Sequence, residues 1–354
     1  MKKKIIAALL ACALAVMGLA ALAGCSSNSS SSNNDSVAKQ EAETPKEPQT
    51  IKIGCPDENG MLTDNGRIAQ ALGYLDEELQ AAGYVPEYVS FGWGGVPLNE
   101  ALMAGDIDVA FSDAWAETLL ASSGMDIKAV ATINSATQNG VCVQASSDIN
   151  APADLKGKRV ICPTGSSTEM YLSEVLAANG LSLSDIQRVD TTSDMVTLFM
   201  SGEADALLYG LYTSYYMEDY QVGRTMCDTK QNPEQWMQSY VIATSDYWKD
   251  NGDAAKAIIR ALDRAQKWAA DTAKSDVKTV YSTMSKDDQA AGINARIYDF
   301  DLSFGFFSPK IEKTQTDRYD QMVSYMVDNG IITKKVASND FFDTSFLDEV
   351  AKEA

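Results

Sequence analysis

The chain has 354 residues, 29 Lys and Arg against 49 Asp and Glu, a net charge of −20, and no histidine. The missing imidazole excludes Ser-His-Asp and Cys-His nucleophile systems, HExxH zinc sites and histidine pH switches, and the acidity argues against the basic face that nucleic acids need. With 45% hydrophobic residues a chain of this length buries a large core, and two lobes are expected rather than one.

Lys2, Lys3 and Lys4 precede an apolar run from residue 5 to 21, the layout of an export signal. Leu22-Ala23-Gly24-Cys25 follows and has the form of a bacterial lipobox: small residues at 23 and 24 fit a signal peptidase groove, and Cys25 takes the lipid. An ordinary cleaved signal or a retained membrane helix is the competing reading. Residues 1–24 are thus read as a lipoprotein signal peptide. Residues 25–50 are Ser/Asn-rich, then Glu/Lys/Pro-rich, with almost no large apolar side chain, and are read as a disordered tether. No later stretch is long and apolar enough to span a bilayer. Cys12 leaves with the signal, so Cys55, Cys142, Cys162 and Cys227 are left. Four exported cysteines can form two disulfides, but there is no CxxC and Cys142 sits in an apolar run, so buried thiols fit as well.

From Ile51 onward, short apolar runs alternate with longer helical patterns. Residues 51–55 are predicted as a strand, 67–82 as one amphipathic helix stopped by Gly83, and 88–91 as a strand. Residues 98–104 are predicted as a helix ended by Gly105, and 107–111 as a buried strand. Such alternation implies βαβ units and a mostly parallel sheet. Two segments recur. Residues 98–113 line up with 195–210: each is a helix, a capping glycine (Gly105, Gly202), an acid-x-Asp turn and a strand. Ile53-Gly54-Cys55-Pro56 lines up with Val160-Ile161-Cys162-Pro163. The repeat predicts two similar α/β lobes. Residues 141–143 and 240–243 read as the strands that cross between them, and helices at 254–273 and 316–329 return the chain to the first lobe. The expected division is 51–142 with 243–354 as lobe 1 and 143–242 as lobe 2, with a ligand cleft at the carboxyl ends of the strands.

Residues 94–113, Gly94-Gly95-Val96-Pro97 onward, resemble the first-lobe signature of the nitrate/sulfonate/taurine-type (NMT1/THI5-like) solute-binding proteins of ABC importers. Residues 153–167, beginning Ala153-Asp154-Leu155-Lys156-Gly157, resemble the start of their second lobe. Gly202-Glu203-Ala204-Asp205-Ala206 resembles a later second-lobe strand start, and Asp343-Thr344-Ser345-Phe346-Leu347-Asp348 their usual ending. The resemblance spans roughly residues 51–350. It implies an α/β type II periplasmic-binding-protein fold, two similar lobes joined by a two-strand hinge with the ligand between them. It further implies a monomer on the outer face of the cell membrane, anchored by lipid on Cys25. Such a protein captures a small organic solute by hinge closure and passes it to an ABC permease and its ATPase, with no cofactor, metal or catalysis. The group binds nitrate, bicarbonate, sulfonates, taurine and pyrimidine precursors, so the solute stays open. Relatives often carry aromatic-Asp-Pro where this chain has Tyr209-Gly210-Leu211-Tyr212-Thr213, a departure from the sulfonate and taurine pattern. The alternative is a ligand sensor without transport. A pyrimidine-pathway enzyme on the same fold would depend on histidine and a cysteine-rich iron motif that this chain lacks.

The candidate ligand contacts fall on predicted strand ends. Thr164, Ser166, Ser167 and Thr168 follow a strand and open a helix, whose free amides suit an anion or carbonyl. The same residues also read as simple capping, with Ser166 as N-cap and Glu169 completing a capping box. Ser112 and Asp113 end a first-lobe strand, where Asp113 is equally a cap for the next helix, and Trp115 follows. Trp93 lies in a glycine-rich loop, to stack on ligand or to pack. Tyr209 and Tyr212 lie nearest the cleft in a cluster with Tyr215, Tyr216 and Tyr220, and with the tryptophans they suit a flat or apolar ligand. Asp57, Glu58, Asn59, Thr63, Asp64 and Asn65 fill the loop after the first strand, where an amine could be received, Asn65 being the chosen contact. No basic residue in these loops offers itself to a phosphate-like anion.

Overall fold

A computed structural model describes residues 47–56, 60–91, 95–134, 138–191, 193–231, 238–272, 274–282, 287–303 and 308–353. Cys25, the signal and most of the tether lie outside the described residues, as do Trp93 and residues 57–59. Lys46–Ala354 fold as one compact unit.

The first lobe begins β1 (Gln49–Cys55), α1 (Asp64–Ala71), α2 (Tyr74–Ala81), β2 (Tyr84–Ser90), α3 (Gly95–Ala104), β3 (Val109–Asp113), α4 (Ala114–Ser122), β4 (Ile127–Asn134). The helix predicted over 67–82 is in fact two. Gly73 takes φ +75°, which a left-handed glycine adopts freely, and the chain turns there before α2. The second lobe follows: β5 (Asn139–Gln144), β6 (Arg159–Ile161), α5 (Ser167–Ala178), β7 (Gln187–Val189), α6 (Met195–Met200), β8 (Ala206–Gly210), α7 (Leu211–Asp219), β9 (Gly223–Asp228). The chain then returns as β10 (Ser239–Thr244), α8 (Ser245–Asp250), α9 (Gly252–Asp271), α10 (Lys274–Ser282), α11 (Asp288–Ser303), α12 (Lys313–Asp328), α13 (Ser338–Phe341) and α14 (Ser345–Glu353).

Two five-stranded sheets result, in the orders β2-β1-β3-β10-β4 and β7-β6-β8-β5-β9. The orders are the same when each lobe is counted from its own first strand. In both, the first strand pairs in parallel with its neighbours, and the strand crossing from the other lobe enters antiparallel. β10 lies between β3 and β4, and β5 between β8 and β9. This is the expected architecture: two similar α/β lobes joined by two strands.

The repeat has a local chemical cause. After α3, Gly105 takes φ +75° and Asp106 N donates back to Ala101 O at 2.9 Å; after α6, Gly202 takes φ +78° and Glu203 N donates to Leu198 O at 3.0 Å. Both are Schellman closures. Asp108 then accepts from Lys52 N at 2.7 Å in the middle of β1, and Asp205 from Arg159 N at 2.8 Å at the start of β6. An aspartate thus fixes the register of each lobe's central parallel pair.

The core of lobe 1 sits on both faces of its sheet. Ile51, Ile53 and Cys55 on β1 are fully buried, and α9 lays an alanine-rich seam (Ala254, Ala257, Ala261, Ala265) beside Ile258 and Leu262. Small residues let α9 lie close to α1 and α2. Cys55, Cys142, Cys162 and Cys227 are buried thiols in no disulfide among the described residues, so of the two readings left open the thiols hold. No described helix is long and apolar enough to cross a membrane.

Candidate functional site

The carboxyl ends of both sheets meet a cleft that contains two adjoining cavities. The hinge-side cavity has a volume of about 280 Å³ and is walled by Ser112, Asp113, Asn134, Gln138, Tyr209, Tyr212 and Ser239, with Pro56, Thr63, Asp64, Arg67, Asn294 and Ile297. The rim-side cavity has about 450 Å³ and runs along Met103, Trp115, Leu119 and Leu120 to the start of α5 at Ser166, Ser167 and Thr168. Gly95, Asp113 and Tyr209 line both, so the two are halves of one cleft. Gly95 has to be small here: a Cβ would sit 2.3 Å from the Cβ of Ala116.

Asp113 ends β3 and caps α4, its Oδ1 accepting from Trp115 N at 3.0 Å and Ala116 N at 3.1 Å. The capping reading therefore holds, and the residue still faces the cleft. Burial pushes its carboxyl above the ordinary range, against the pull of the two amides. Ser112 and Ser239 are 5% and 6% exposed, line the hinge-side cavity, and their hydroxyls have no hydrogen-bond partner among the described residues.

Asp64 is the structural centre of the loop after β1. Its backbone is left-handed at φ +52°, its side chain is buried, and it accepts from Asn134 Nδ2 at 3.0 Å and Gln138 Nε2 at 2.9 Å. Asn134 Oδ1 in turn accepts from Ser239 N at 2.8 Å. One carboxylate thus ties the first loop to both crossovers. Burial raises its pKa, opposed by Gln138, Thr63, Asn134 and the charge of Arg67. Asn65 points elsewhere: it donates to Leu262 O of α9 at 2.9 Å and lines neither cavity. The left-handed turn at Asp64 sends the next side chain into the core. Arg67 adds a basic group that the loops alone did not offer, with Nε on Leu62 O at 3.1 Å.

The start of α5 is capped as expected, with a difference. Ser166 Oγ accepts from Glu169 N at 3.2 Å, but the Glu169 carboxylate reaches Gly165 N rather than the N-cap amide. Its other oxygen takes Arg188 Nη1 at 2.6 Å. The carboxylate thus fills ground that an anion would use. Thr164 is spent on Asp190, its amide at 2.9 Å and its hydroxyl at 2.5 Å, and lines neither cavity.

Besides the packing of Leu211 and Met170 into the first-lobe cores, polar and cation–ring contacts cross between the lobes. Trp115 is 4% exposed and donates its indole N–H to Gly165 O at 3.1 Å across the cleft. Arg318 on α12 makes a two-pronged bond to Glu174 on α5, both arms at 2.9 Å. Arg296 on α11 lies 3.7 Å over the Tyr215 ring and pairs with Glu218 and Asp219 of α7. Behind Asp113, Glu117 is wholly buried, and neither carboxylate oxygen has a partner among the described residues. Burial first, and the Asp113 charge second, push its pKa well up.

Of the expected contacts, Ser112, Asp113, Trp115, Ser166, Ser167, Thr168, Tyr209 and Tyr212 gather at the cleft. Asn134, Gln138 and Ser239 were missed although they flank the two crossing strands, a position the strand prediction itself marks. Asn294 comes from a helix with no signal pointing to the cleft. No group of three or more His, Cys, Asp or Glu among the described residues could hold a metal.

A family model described as NMT1/THI5 like matches residues 73–274. A Brucella abortus chain named as a binding protein is 27% identical over 170 residues, which are 47% of this chain and 52% of that one. The chain therefore matches about half the length of that relative. The crystal structure of the periplasmic sulfonate-binding protein SsuA from Methylobacillus flagellatus superimposes with a TM-score of 0.73 at 23% identity, over 87% of this chain and 95% of that one. That of the desulfurization enzyme DszB superimposes with 0.61 at 16% identity, over 86% and 99%. These likenesses establish the fold.

Proposed function

Because the chain belongs to the NMT1/THI5-like family, we propose that it is the solute-binding subunit of an ABC importer, a lipid-anchored protein outside the cytoplasmic membrane that closes on a small organic solute. The observation that carries the reading is the cleft itself. Strand ends of both sheets wall it, two strands join the lobes behind it, and the Trp115 indole bridges it in front. Ligands in open α/β sheets bind there, and a cleft between two lobes joined by only two crossing strands suits hinge closure. The lipobox at Cys25 supports export and anchoring, and the sulfonate binding named for SsuA supports capture of a small polar solute. The partners are then a permease and its ATPase, reached by a monomer.

We read the protein as a binder rather than an enzyme, although DszB has this fold. The chain has no histidine to accept a proton from the cleft serines, and its four described cysteines line neither cavity. A thermal-shift screen of the full chain against sulfonates, amino-sulfonates, amines, aromatic acids, pyrimidines and amino acids tests the proposal. At least one class raises the melting temperature in a saturable way. A screen without any shift, or turnover of a bound compound, overturns it.

A further inference from the structure

The charged side chains lining the two cavities, among the described residues, are Asp64, Glu100, Asp113 and Arg67. Three acids face one base, and that base lays its Nε on its own loop carbonyl. The helix end that would seat an anion has the Glu169 carboxylate on Gly165 N and Asp190 on Thr164. A sulfonate placed there would lie against two carboxylates with one guanidinium, Arg188, already paired to Glu169, and so would meet net negative charge.

The hinge-side cavity is equipped for the opposite charge. Asp113 uses Oδ1 for the two helix amides, and its Oδ2 makes no hydrogen bond to another described residue. The buried hydroxyls of Ser112 and Ser239 have no partner among the described residues and border the same space. One carboxylate oxygen and two hydroxyls match the three donors of an ammonium group. Tyr209 lines both cavities, and an aromatic ring beside a cation is attractive. Beyond Asp113 the rim-side cavity is apolar along Met103, Trp115, Leu119 and Leu120.

Resting on the solute-capture reading, we infer that the solute is a primary amine with an apolar body, its ammonium held by Asp113, Ser112 and Ser239 and its body along Met103 and Leu119, rather than a sulfonate. Isothermal titration of the full chain with phenethylamine and hexylamine, each against the sulfonate of the same carbon skeleton, tests this. The amine of each pair binds at least about tenfold tighter. Asp113→Asn keeps a good helix cap, so it folds, and it lowers amine affinity about tenfold or more. Should that variant not fold, Ser112→Ala with Ser239→Ala reads the same seat. A sulfonate that binds as tightly as its amine, or amine affinity untouched by these variants, overturns the inference and leaves solute capture standing. Absence of binding by every member of both sets counts against both.

Discussion

Glu117 is a carboxyl group with nothing to hold. Wholly buried, with Asp113 beside it, it keeps its proton in the folded chain at pH values where the unfolded chain has lost it. The sign follows: the folded state binds more protons, so stability falls as pH rises above the ordinary value of 4.5, by about 1.4 kcal/mol per pH unit until the group ionises in place. Glu117→Gln removes that loss. Its melting temperature matches the parent near pH 4 and exceeds it at pH values well above 4.5; parallel curves would mean that Glu117 is ionised in the fold. Asp64 presents the reverse dependence on neighbours. Asp64→Ala takes away the carboxylate that accepts from the Asn134 and Gln138 amides and costs about 2 kcal/mol in urea unfolding. The sequence made Ser166 and Asp113 legible because capping follows from residue type and position alone. It marked the loop of Asp64 but chose Asn65, since composition identifies a loop while a left-handed backbone decides which of its side chains turns inward.

At the scale of elements, the repeat was legible because its determinants are local: a glycine that ends a helix and an aspartate three residues later that grips the neighbouring strand. Gly105 and Gly202 have open space where a Cβ would go, so an alanine at either meets only backbone strain. Gly105→Ala and Gly202→Ala therefore cost similar amounts, about 1–2 kcal/mol each in chemical denaturation. A gap of several kcal/mol between them would break the equivalence of the lobes. The break at Gly73 was not legible for a related reason. Ile68, Leu72, Leu75 and Leu79 keep a helical spacing straight through it, so α1 and α2 present one apolar stripe to the core although the chain turns between them. Periodicity records which side chains face inward, not whether the backbone is continuous.

For the whole molecule, the Arg318–Glu174 pair is the more enclosed of the ion pairs that join the lobes among the described residues, with the arginine side chain 7% exposed. Arg318→Ala leaves Glu174 unpaired and weakens the joined arrangement by about 2 kcal/mol. Small-angle scattering then gives a larger radius of gyration without solute, and solute affinity drops; an unchanged radius would assign the pair to packing within a fixed frame. The sequence displayed two lobes but not these contacts, because α11 and α12 carry their cleft-facing charges on helices whose patterning speaks only of burial in the first lobe. The strand order has a consequence in time. Every strand of the second sheet lies between residues 139 and 228, a single uninterrupted stretch, while the first sheet has a vacancy between β3 and β4 until residues 239–244 arrive. A chain made from its amino end can therefore finish its second lobe first. Its first lobe is completed late, by threading one strand into the middle of a sheet whose other four members were made more than a hundred residues earlier.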